Sequence, residues 1–415
     1  MASVKRLGPY LIVVLLSVAL GACTSEPSPA SPSSLSPSPS PALSSALSSA
    51  LSSAAGPSSR PPSPPASPSA SADCVAGTLD RLTLPQRVGQ ILMIGTSVNE
   101  PDELGDAVRR YHLGGVFLHG RSVHRAAQLR ADVADLQRRA RLPLLISLDQ
   151  EGGNVQTLKG PDFPIIPTAQ RLGGGPRATL RNTVADSTRR LAGIGVTVNL
   201  APVADTVPPS IGRDNPPIGA FRRQYGSDSA RVSAAIRTVV PASQDAGVLT
   251  VLKHFPGLGR VRANTDTTRG AVDDVATATD PYLRPFAAGI GAGSAGVMIS
   301  SASYPRLDRS TIAAFSKPVI TGLLRGRLGF RGLVMSDDLG AAVAVSALPP
   351  GERAVRFVAA GGDLVLTIRP RDAAPMGQAL LDKAKKDQSF RARVTDAARH
   401  VLRAKQQAGL LRCGR

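Results

Sequence analysis

The sequence predicts an α/β fold, a (β/α)8 TIM-type barrel over residues 74–415, preceded by a signal peptide and a disordered Ser/Pro/Ala-rich linker. Three observations carry this prediction. Short apolar runs alternate with amphipathic stretches of helical period, eight times over. The runs are continuous in Val, Ile and Leu, as strands of a parallel sheet covered on both faces are. Polar side chains collect where the runs end, which in a barrel is the rim that builds the site. A doubly wound open sheet is the alternative, but no GxGxxG follows the first run.

The runs come in a regular order. "VGQILMIGT" (88–96) is the first strand, with "PDELGDAVRRYH" as its helix. "GGVFLHG" leads into "AAQLRADVADLQRRARL", and "PLLISLD" into "RATLRNTVADSTRRLAGIG". "VTVNLAPVAD" precedes "SARVSAAIRTVVPASQDAG", and "VLTVLKHF" precedes a helix near "PYLRPFAAGIGAG". "AGVMISSAS", "RGLVMSDD" and "GDLVLTI" are the last three strands, separated by "KPVITGLLRGRLGF" and "ERAVRFVAAG". A helical region from about 373 to 411 closes the chain. Gly195, Gly247, Gly329 and Gly361 stand where helices end.

Asp149, Glu151, Asn199, Asp205, Lys253, His254, Ser300, Asp337 and Asp338 all fall at or just beyond the carboxyl ends of these strands. Strand beginnings are mostly apolar or glycine. That asymmetry points to an enzyme.

The amino-terminal residues predict export. Lys5 and Arg6 precede "YLIVVLLSVALGAC", a short apolar core ending in small residues. "LGAC" resembles a lipobox, so residues 1–22 read as a lipoprotein signal peptide and Cys23 as the lipidated residue. Residues 23–73 are nearly all Ser, Pro and Ala, too poor in apolar surface to offset chain entropy, and are expected to form a disordered tether. The expected location is the outer face of the cytoplasmic membrane, with the lipid as the membrane contact. Cys74 and Cys413, at the two extremes of the barrel, are a candidate disulfide in that compartment. The net charge of +19 favours polyanions, but its arginines are scattered along helical faces and aromatics make up 3%, so nucleic acid is not expected as a partner. No HExxH or calcium-loop pattern occurs; neither metal nor other cofactor is expected, and the chain is expected to be a monomer.

"LDQEGGNVQ" (148–156), "KHFPGLG" (253–259) and "MSDDLGAA" (335–342), in that order, resemble family 3 glycoside hydrolases. The nearest type is the single-domain bacterial β-N-acetylglucosaminidase. "NLAPVADT" and "NPPIGAFRRQYGSD" strengthen the likeness, which covers about residues 80 to 410. It implies retaining hydrolysis of terminal β-linked N-acetylhexosamine in cell-wall-derived glycans. Such a reaction needs one carboxylate to attack the anomeric carbon and one proton donor to the leaving oxygen. The resemblance makes Asp337 the nucleophile and places Asp149, Lys253 and His254 on the sugar. Arg223 best matches the family's sugar-contacting arginine in "IGxRSFG", with Arg222 as its rival.

The loop after "KHFPG" departs from the family. There it reads roughly "HG…DSH", its last histidine and the aspartate forming the acid/base dyad. Here Leu258 replaces the first histidine, Asn264 the aspartate, and Asp266 the acid/base histidine. A carboxylic acid serves if burial or a neighbouring charge lifts its pKa toward neutrality, so Asp266 is the candidate acid/base on a mobile loop. Asn154 replaces the arginine after "EGG", and Ser301 or a neighbour the histidine of strand six. Alternatives are a β-glycosidase of other specificity, a phosphorylase drawing on Arg260 and Arg262, and a lipoprotein that binds glycans without cleaving them.

Overall fold

The computed structural model describes residues 69–411. Cys23, Cys413 and the expected signal peptide lie outside the described residues. Eight parallel strands form one sheet: β1 (Leu92–Ser97), β2 (Gly115–His119), β3 (Leu145–Leu148), β4 (Val198–Asn199), β5 (Leu249–Phe255), β6 (Gly296–Ile299), β7 (Leu333–Ser336) and β8 (Val365–Thr367). Each strand pairs with its sequence neighbours, and β8 returns to β1. A bridge between Met335 and Leu364 joins β7 to β8 and closes the barrel. The Ser336 N–H donates to the Leu364 carbonyl at 3.0 Å across that seam.

The first apolar run is split differently from the sequence expectation. Its residues 88–90 belong to a helix, Leu84–Gln90, and only then does β1 begin. The helix start is fixed by Gln86, whose Oε1 accepts from the Thr83 N–H at 2.9 Å, a capping geometry that outcompetes extension. The fourth run is regular only over Val198–Asn199, because Pro202 has no N–H to give; Val203 rejoins the ladder beside Lys253.

Helices alternate with the strands around the outside. The long ones are α1 (Ala126–Arg139), α2 (Arg177–Ala192), α3 (Ser229–Gln244), α4 (Pro350–Ala359), α5 (Ala373–Lys386) and α6 (Gln388–Gln407). Gly195 and Gly247, just past α2 and α3, have φ of 87° and 93°, which only glycine adopts without cost. The helix expected after β6, Pro318–Arg327, is wound wider than an α-helix: the Leu328 N–H reaches the carbonyl of Leu323, five residues back. The first helix, Ser69–Asp80, buries Val75 and Leu79 and packs on α6. Cys74 on that helix is disulfide-bonded.

All eight strands point their carboxyl ends to one rim. Two antiparallel ribbons decorate it, Gln150–Gly152 with Val155–Gln156, and Ser303–Tyr304 with Asp308–Ile312. Asn199 clamps the first to β4: its Oδ1 accepts from the Gln150 N–H at 3.0 Å, and its Nδ2 donates to the Gln150 carbonyl at 3.2 Å.

Candidate active site

A cavity of about 340 Å³ opens at the rim, and Asp149, Arg223, Lys253, His254, Asp266 and Asp337 all line it. Those six candidates come from segments as far apart as residues 149 and 337. Phe117, Leu200, Met298 and Leu366 provide apolar wall between them. Arg222, the rival of Arg223, is exposed and outside the lining, with a left-handed φ of 57°.

The floor is an ionic network. Lys253 Nζ lies 2.5 Å from Asp149 Oδ1 and 2.6 Å from Glu151 Oε1. Arg223 grips the same Glu151 with a two-pronged contact, Nε to Oε2 at 2.8 Å and Nη2 to Oε1 at 2.7 Å. Its Nη1 donates to the Pro217 carbonyl at 2.7 Å, so the guanidinium has little freedom left. Burial alone would push the Glu151 carboxyl up; the Arg223 and Lys253 charges outweigh it and hold it at about 2. Burial pulls the Lys253 amine down, but Asp149 and Glu151 more than restore it, and it stays charged.

Removing Glu151 leaves the buried Arg223 guanidinium without its carboxylate and takes one of two carboxylates from Lys253. A Glu151→Gln variant is expected to lose about 3–5 kcal/mol of stability at neutral pH, measured by urea unfolding. Because the folded-state pKa is depressed, this contribution is present above the ordinary carboxylate range and disappears as pH falls from there through about 2. The variant should therefore lack part of the wild type's acid sensitivity in that window.

His254 stands on a second carboxylate. Asp205, fully buried, lies 2.7 Å from its Nδ1 and also accepts from its backbone N–H. The same Asp205 accepts from the Leu258 N–H at 2.7 Å and so pins the start of the next loop. The Lys253–His254 peptide bond is cis. With Nδ1 engaged, Nε2 is the atom left for a ligand; it lies 3.4 Å from Arg223 Nη2.

Asp337 ends β7. Its Oδ1 accepts from the Asp338 N–H at 2.8 Å, and the side chain is half-buried in the cavity wall. Asp338 has a different task. Its oxygens accept from the N–H groups of Gly340, Ala341 and Ile368 at 2.8, 2.8 and 3.0 Å, capping the turn and fastening β8 to it. Asp338 thus caps the turn, and one oxygen of Asp337 has no hydrogen bond among the described residues.

Asp266 arrives from the long loop after β5. That loop has a rigid foot. Asn215 Nδ2 donates to the Leu258 and Val261 carbonyls at 2.8 and 2.7 Å. Arg260 contacts Asp273 and Asp280 at 2.8 and 2.5 Å and lies over the Tyr282 ring. Arg260 is therefore committed, and neither it nor the exposed Arg262 reaches the cavity to await a phosphate. Beyond the foot, Asn264 Oδ1 accepts from the Asp266 N–H at 3.0 Å and turns the chain inward. Asp266 is exposed and lines the cavity. What governs its charge is the crowd of protein atoms around the carboxyl. Burial, then the Asp337 charge, lift it to about 6, against the opposing pull of His254 and Arg223.

Glu151 and Asp205 are visible in the sequence as strand-end acids, but nothing there assigns them partners. Asn154, in the place of the family's arginine, is exposed; its carbonyl accepts from Arg121 Nη2 at 2.9 Å. Ser301 is buried, its hydroxyl unpartnered among the described residues.

A barrel rim that sets two carboxylates around a sugar-sized cavity, over a floor of paired ions, defines a glycoside hydrolase. Comparison with known proteins agrees: the glycosyl hydrolase family 3 N-terminal domain matches residues 83–404, and the chain belongs to that family. A β-hexosaminidase of Xanthomonas oryzae pv. oryzae is 33% identical over 299 residues, 70% of this chain and 87% of that protein. The crystal structure of a β-N-acetylhexosaminidase from Beutenbergia cavernae is 46% identical, with a TM-score of 0.76 over 78% of this chain and 99% of its own. A family 3 β-N-acetylglucosaminidase from Paenibacillus is 30% identical, with a TM-score of 0.72 over 80% of this chain and 64% of its own.

Proposed function

We propose that the protein is a retaining exo-β-N-acetylhexosaminidase that removes terminal β-linked N-acetylglucosamine from cell-wall-derived glycans, held outside the cytoplasmic membrane by a lipid on Cys23. The observation that carries the catalytic part is the shared cavity of Asp266 and Asp337, with Asp266 raised to about 6. The amino-sugar part draws on the names of the similar enzymes.

The chemistry runs in two steps. Asp337 attacks the anomeric carbon while protonated Asp266 gives its proton to the leaving oxygen; the glycosidic bond breaks and a glycosyl ester forms. Asp266, now a carboxylate, takes a proton from water as the water oxygen attacks that carbon, and Asp337 leaves. Esterification removes the Asp337 charge that had raised Asp266, so its pKa drops when a base is needed. Asp149, Lys253, Arg223 and His254 hold the ring. Their contacts with neighbouring carboxylates exist before substrate arrives, so little ordering is required on binding. The cavity volume is at the low end of ligand sites, about 300–1,000 Å³, which suits one terminal sugar.

The test compares aryl β-N-acetylglucosaminide with aryl β-glucoside, with and without inorganic phosphate. The expected preference for the amino sugar is about 10²-fold or more in kcat/KM, with free sugar released in both buffers. Faster cleavage of the glucoside, or release of sugar 1-phosphate, would overturn the assignment.

A further inference from the structure

The tip of the β5 loop, residues 262–270, is fastened differently from its foot. Among the described residues, three hydrogen bonds join it to another element, and all reach the segment after β7. The Val343 N–H donates to the Asp266 carbonyl at 3.2 Å, the Ala344 N–H to the Thr265 carbonyl at 3.0 Å, and Arg269 Nε to Ser346 Oγ at 3.1 Å. Val343 and Ala344 open a single 3₁₀ turn, Val343–Val345. The first N–H groups of such a turn have no partner within it, and here they face the tip carbonyls. Ser346 closes the turn, its Oγ donating to the Val343 carbonyl at 2.8 Å. Thr265, between these contacts, is 3% exposed.

We propose that this turn is a seat that positions Asp266 for proton transfer, with Arg269 as its outer clip; the inference rests on the reading of Asp266 as acid/base. The seat follows Asp337 by six residues, so a short covalent path and two hydrogen bonds fix how the two carboxylates face each other. Nucleophile and proton donor are registered through one segment.

Val343→Pro tests this with little collateral change. Val343 is the first residue of the turn, where proline is welcome, and Ala342 before it has φ −57° and ψ 129°, which proline tolerates. The substitution removes one N–H. Expected is a loss of about 5- to 10-fold in kcat/KM on methyl or disaccharide glycosides, the scale of one hydrogen bond, and under about 2-fold on a dinitrophenyl glycoside that needs no acid. Arg269→Ala, at an exposed position, should show the same leaving-group dependence at about 2- to 3-fold, restored by Arg269→Lys. Equal losses on both substrates, or none, would overturn the seat while leaving Asp266 in place. If Asp266→Asn itself shows no leaving-group dependence, the acid/base reading falls and the seat with it.

Discussion

Asp337→Ala is expected to lower turnover by about 10⁴-fold, the scale on which catalytic constellations fail when one member is removed. Folding should survive, because the backbone carries the strand end: the Asp337 N–H donates to the Ile299 carbonyl at 3.1 Å, and Asp338, not Asp337, holds the turn. A 2-deoxy-2-fluoro sugar with a good leaving group should form a stable ester on the wild type, and peptide mapping should place it on residue 337. Azide added to the alanine variant would attack from the emptied side and give the glycosyl azide of opposite anomeric configuration. Label on any other carboxylate, or full turnover by the variant, would remove Asp337 from its role.

The second large effect is at Asp266. Asp266→Asn should cost about 10²- to 10⁴-fold on unactivated glycosides and little on dinitrophenyl glycosides, because the latter leave without a proton. The pH profile gives an independent check. The acid is competent when protonated, so the wild-type rate should fall as pH rises through about 6, and that limb should vanish in the variant. Since the Asp337 charge contributes to the elevation, Asp337→Asn should lower the Asp266 pKa, which carboxyl-labelled NMR can follow. A limb unchanged in Asp266→Asn would assign it to another group.

The barrel was legible because its strands are unbroken apolar runs and its helices end in glycine, both local signals. The boundaries that slipped, at residues 88–90 and after Asn199, were decided by a glutamine cap and by a proline without an N–H. For the site, strand ends exposed Asp149, Lys253, His254 and Asp337, since position in a (β/α) unit already implies the rim, whereas Arg223 and Asp266 were found only through the family resemblance. Partnership was not legible. That Glu151 would balance both Arg223 and Lys253, or that Asp205 would serve His254 and Leu258 together, depends on contacts across 49 to 102 residues of chain. No periodicity encodes those.

The foot of the β5 loop has a consequence for how this enzyme could change. Asp205 and Asn215 hold it through main-chain atoms alone, the Leu258 N–H and the Leu258 and Val261 carbonyls, so the grip is blind to which side chains the loop carries. A histidine could give way to Leu258, and a dyad to Asn264 and Asp266, without disturbing the platform beneath. On the proposed reading of Asp266, the proton-delivering group is an exchangeable part on a fixed mount, and the opposite half of the pocket need never notice the exchange.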